Sequence, residues 1–102
     1  MATVAATYLA AAKNQDCGLT RALAAKDGTW SWCSDPRLLS YTDVGRPFAV
    51  GKHSSPVPQE CVRFTMTTTG SSDGSMPVGE EPWSLCFVHA AEGWRLYDQG
   101  QG

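Results

Sequence analysis

Residues 61–86, CVRFTMTTTGSSDGSMPVGEEPWSLC, decide how the rest of the chain is read. Two stretches with strand character flank a polar, glycine-rich middle, and a cysteine closes each outer end. In the first stretch Val62, Phe64 and Met66 alternate with Cys61, Arg63 and Thr65, the period of a half-buried strand. Paired antiparallel with Cys61 opposite Cys86, the two stretches bring Phe64 opposite Trp83 and Val62 opposite Leu85. Every apolar residue then shares one face, and the two cysteines meet on the other. Opposed residues have Cβ atoms about 4.5–5.5 Å apart, close enough for a disulfide. A slip of one residue would turn the apolar face to water, so the register is well specified.

The chain has four cysteines, at 17, 33, 61 and 86, and no CxxC pair. Without that short chelate spacing a structural zinc site has little to recommend it. Two disulfides, four free thiols or a metal site remain as readings. The agreement between cysteine register and apolar register favours disulfides, Cys61–Cys86 directly and Cys17–Cys33 by elimination. Small exported domains often need such staples.

Working outward, residues 3–14 read as a helix, with Val4, Tyr8 and Ala11 or Ala12 at spacings of three and four. Asn14-Gln15-Asp16 breaks it, and Asp16 is a natural N-cap for a second helix, CGLTRALAAK, with Leu19 and Leu23 on one face. TWSWCSDP predicts a short helical turn closed by Pro36. LLSYTDV reads as a strand with Leu39 and Tyr41 on one side. GRPFAVGKHSSPVPQ, with three prolines and two glycines, reads mostly as loop. GSSDGSMPVGEEP reads as a long hairpin loop, WSLCFVHA and WRLYDQ as strands, with Gly93 in the turn between them. Helices first and strands after predict one antiparallel α+β domain over residues 1–102, its N-terminal helices packed on one face of the sheet.

Eight Lys and Arg against ten Asp and Glu, with no basic run, argue against a nucleic-acid surface. No apolar run approaches the roughly 20 residues needed to span a bilayer. ATVAATYLAAA carries Tyr8 in its middle and no basic start, so it reads as a mature helix, with any leader or anchor expected to have preceded Met1.

The start YLAAAKNQDCGLTRALA resembles the opening of the NTF2-like superfamily, which includes SnoaL-like and ketosteroid isomerase-like proteins. WCSDPRL and the ending GWRLYDQGQG resemble small exported NTF2-like domains and lipoproteins of high-GC Gram-positive bacteria. The resemblance implies a curved, cone-shaped sheet wrapped around the helices, and an extracellular or cell-surface location. Such folds host enzymes, binding modules and scaffolds alike. Many dimerise through the outer sheet face, so a homodimer belongs to the expectation, although Arg63, Thr65 and Thr67 make that face polar here.

Two functional readings follow. In the first, the domain is non-enzymatic and binds a small apolar molecule or a protein partner. A ligand pocket would be lined by Tyr8, Tyr41, Phe64, Trp83, Phe87 and His89, all placed on inward faces, with no metal and no cofactor. Aromatic residues at such positions are equally what a close-packed core requires. The second reading follows the resemblance to ketosteroid isomerase: Tyr8 would donate to an oxyanion and Asp35, before Pro36, would act as base. Aromatics at helical spacing are more often core, and Asp-Pro commonly starts a turn. His53 falls in a polar loop. Glu80-Glu81 before Pro82 reads as a solvated loop edge.

Overall fold

The computed structural model describes residues 1–25, 31–33, 37–50, 58–72, 74, 76 and 78–100. Two helices, α1 (Ala2–Lys13) and α2 (Cys17–Ala22), precede five strands: β1 (Leu38–Thr42), β2 (Phe48–Val50), β3 (Gln59–Thr68), β4 (Gly79–Ala90) and β5 (Gly93–Gly100). The strands form one antiparallel sheet in the order β1-β3-β4-β5, and β2 also pairs with β3. The fold is thus α+β with an antiparallel sheet, as the order of helical and strand patterns predicts.

Ala5, Tyr8, Leu9 and Ala12 form the buried stripe of α1, spaced so that they stack along one helix face. Three residues then turn the chain. Gln15 takes the left-handed conformation (φ 57°), while its N–H donates to Ala12 O and the Asp16 N–H donates to Ala11 O. That pair of bonds satisfies carbonyls the helix end would otherwise leave bare, with Gln in the place glycine usually takes. The Asp16 carboxylate opens the next helix by accepting from Leu19 N at 3.2 Å. Asp16 therefore closes α1 with its backbone and starts α2 with its side chain.

The helix α2 is shorter than its sequence suggests. Ala25 N donates to Leu96 O and Leu96 N donates to Leu23 O, so residues 23–25 lie along β5 as a parallel bridge. Ala24 N still donates to Arg21 O, but Ala25 N turns to the sheet instead of the helix, and the bridge covers the β5 edge. The expected short helical turn across TWSWCSDP lies mostly outside the described residues.

The central hairpin has the register read from the sequence: Cys61 opposite Cys86, Val62 opposite Leu85, Phe64 opposite Trp83. Its inward face carries Val62, Phe64, Met66, Leu85 and Phe87, which join the α1 stripe, Trp32, Leu38 and Leu96 in one core. At the hairpin tip Gly70 (φ 74°) is needed twice over. A Cβ there would fall 2.7 Å from Val78 Cγ2, and the backbone is one that side chains rarely adopt.

Three local expectations are corrected. In β1 the register shifts between Leu38 and Ser40, leaving Leu39 as the extra residue of a bulge. Leu38 is therefore the inward residue, 2 % exposed, and Leu39 is turned out at 45 %. The proline-rich segment read as loop contains β2, which pairs Phe48 with Cys61 and Val50 with Gln59. The segment Glu80-Glu81-Pro82, read as a loop edge, belongs to β4, and Glu81 opposite Met66 is only 7 % exposed.

Candidate functional site

The inward aromatics are the first place to look for a site. Tyr8 and Phe87 meet edge to face, ring centroids 6.1 Å apart, and Phe64 is buried in the same cluster. Tyr41 and Trp83 are half-buried and pack against it. His89 is corrected: it lies near the end of β4, exposed, its ring 4.9 Å from that of Trp94. Strand parity alone puts it beside Leu85 and Phe87, but the core ends before the strand does.

Trp32, which sequence reasoning left unassigned, completes the cluster. It is 2 % exposed, although its backbone is left-handed (φ 59°), a strained conformation for so large a residue. Its ring meets that of Trp83 edge to face at 6.2 Å. Both indole N–H groups donate to one acceptor, Gln99 Oε1, at 3.1 Å from Trp32 and 3.2 Å from Trp83. The burial of the ring and this shared acceptor hold the 31–33 segment in place. Nothing in the pattern of a polar strand residue marks Gln99 for this role.

Burial pushes the Tyr8 phenol well above its ordinary range, and negative charge on Cys33 would push it further. Tyr8 is therefore a neutral hydroxyl at any physiological pH. Asp35, its expected partner in catalysis, lies outside the described residues, as does His53.

Cys61 and Cys86 form a disulfide, with Cα atoms 4.0 Å apart, on the face opposite the core residues. The expected Cys17–Cys33 bridge is not formed; both residues are free thiols, each half-buried. Elimination nevertheless names the right neighbours, because the Cys17 thiol donates a hydrogen bond to Cys33 Sγ. Ser31 Oγ lies 3.1 Å from Cys33 Sγ, and the buried Thr20 hydroxyl reaches the same sulfur. For Cys33 burial opposes ionisation, but hydrogen bonds from Cys17, Ser31 and Thr20 and the charge of Arg21 outweigh it, so its pKa lies below the ordinary thiol value. Cys17 is held above that value by its hydrogen bond to Cys33, then by burial and the neighbouring sulfur's charge. Two equivalent thiols in the sequence are thus made unequal by the fold.

Among the described residues no cluster of three or more His, Cys, Asp or Glu is placed to hold a metal ion. No described helix is long and apolar enough to cross a membrane. Comparison with protein-family models, curated proteins and solved structures finds no match to this chain.

Proposed function

We propose that this chain is a small exported domain of NTF2-like type, non-enzymatic, that acts by binding a protein partner at the cell surface. The observation that carries this reading is that the inward rings are engaged with one another. Tyr8 abuts Phe87, Trp32 abuts Trp83, and the two indoles share Gln99. Rings packed against one another between helix and sheet favour recognition at the exterior. There Leu39, Val44 and Phe48 are exposed in or between β1 and β2, with Arg63 stacked 4.8 Å over the Phe48 ring. The Cys61–Cys86 bridge supports an oxidising compartment, where such bonds persist.

The test has two arms. A panel of apolar compounds (steroids, fatty acids, terpenoids) should produce no saturable change in tryptophan fluorescence or melting temperature; a saturable change would move the binding site indoors. Labelled protein should be retained on the cells that export it, and Leu39→Asp with Phe48→Asp should abolish that retention without altering melting. Retention that survives both substitutions would remove the β1–β2 surface from the proposal.

One observation favours a second reading, an isomerase- or dehydratase-like enzyme using Tyr8 and Asp35. Burial keeps the Tyr8 phenol protonated, the state an oxyanion donor needs. Isomerisation of a β,γ-unsaturated ketone that is lost in Tyr8→Phe and Asp35→Asn would establish it.

A further inference from the structure

The cluster formed by Cys17, Thr20, Arg21, Ser31 and Cys33 is assigned no role by the partner-binding reading and stands independently of it. We propose that Cys33 and Cys17 are a reversible dithiol–disulfide couple, Cys33 the attacking thiol and Cys17 the resolving one, oxidised by a low-molecular-weight disulfide. Their geometry has three parts. The two thiols are in hydrogen-bond contact, so joining them needs little displacement. Both are half-buried, so a small disulfide can reach them; in the closed pair Cys86 is also half-buried, but Cys61 is 2 % exposed. The sulfur of Cys33 has polar neighbours: Ser31 Oγ at 3.1 Å, able to donate once Cys33 is a thiolate, the Thr20 hydroxyl, the Cys17 thiol and the positive Arg21 on α2; as a thiol Cys33 donates to Ser31 O at 3.7 Å.

Among the described residues, the charged and titratable neighbours come from α1, α2 and its cap. Arg21 and Asp16 act on the pair from α2 and its cap, and Tyr8 on α1 is close enough to feel the charge of Cys33. Arg21 favours a thiolate at either sulfur, and Asp16 opposes one at Cys17. Tyr8 stays neutral and adds no charge. The donors single out Cys33 as the thiolate, and the thiolate is the nucleophile in exchange.

Cys33 thiolate attacks one sulfur of R–S–S–R; a Cys33–S–R bond forms, the S–S bond breaks, and RS⁻ leaves with the electron pair. Cys17 gives up its proton, its sulfur attacks Cys33 Sγ, and the second RS⁻ departs. Two protein thiols become one disulfide, one disulfide becomes two RSH, and no other oxidant is required. The product ties the start of α2 to the segment whose Trp32 is anchored in the core.

The experiment uses the full chain, treated with limiting dithiol and then with the aryl disulfide dithiobis(nitrobenzoate). The limiting dithiol is expected to leave Cys17 and Cys33 as thiols and Cys61–Cys86 closed. Wild type should then release two arylthiolates per chain and show a mass with no aryl group retained. Cys17→Ser should stop at one equivalent with the aryl group on Cys33. Cys33→Ser should react at Cys17 at least tenfold more slowly at neutral pH. A wild-type mass carrying aryl groups, equal rates for the two single variants, or opening of Cys61–Cys86 before the other pair would each overturn the proposal. The wild-type mass needs no variant, so a variant that fails to fold does not blunt the test.

Discussion

Gln99 shows how much can depend on one polar side chain among aromatics. Its Oε1 satisfies two indole donors, one of them on a fully buried ring whose backbone is left-handed. Gln99→Leu keeps the volume and removes the acceptor. A buried donor left unsatisfied costs about 1–3 kcal/mol, so the urea midpoint should fall accordingly, and an unchanged midpoint would show the bonds to be incidental. Tyr8 makes a complementary prediction about pH. Burial raises its pKa in the folded state, whereas in the unfolded chain the phenol ionises near 10.0. The unfolded state therefore loses the proton first, and stability that is complete below pH 10 declines as pH rises above it. Chemical-denaturation midpoints followed through this alkaline range should drop for wild type and drop less for Tyr8→Phe. Neither Gln99 nor Trp32 was legible as a site residue, because a polar residue in an outer strand and a tryptophan in a turn carry no periodic signal.

Strands differ in how openly they announce themselves. The β3–β4 register was legible because two independent patterns, apolar parity and cysteine spacing, demand the same alignment. In β1 the parity rule fails at one residue. The bulge at Leu39 inserts a position, so Leu38 and Tyr41, three apart, both turn inward where simple alternation pairs Leu39 with Tyr41. The expected consequence is a sharp contrast between neighbours. Leu38→Ala should cost about 2–5 kcal/mol in a denaturant titration, the range for emptying a buried leucine site. Leu39→Ala should stay within about 0.5 kcal/mol of wild type, as exposed substitutions usually do. Equal costs would remove the bulge. The three residues of β2 and the acidic start of β4 were hidden for a different reason. Their composition favours loops, and only pairing with β3 makes them strands. The end of α2 is the converse, a helix-favouring run ended early by hydrogen bonds to Leu96.

At the scale of the molecule, a 102-residue chain has a modest core and relies on covalent help. One bridge closes the central hairpin on the face away from the aromatics, so the staple and the core hold the same two strands from opposite sides. Replacing Cys61 and Cys86 together by alanine should cost about 2–5 kcal/mol and lower the melting temperature. An unaltered melting curve would mean the core alone fixes the hairpin. The second cysteine pair was legible as neighbours but not as thiols of unequal acidity, since that inequality comes from Ser31, Thr20 and Arg21, which only the fold assembles. The β3–β4 register sets the inward face, the aromatic core and the outward bridge together. Mass mapping of peptides from the unreduced, alkylated protein tests it most directly. The expected result is a peptide pair cross-linked through Cys61 and Cys86; a free thiol at either position, or either one bonded to Cys17 or Cys33, would rule that register out.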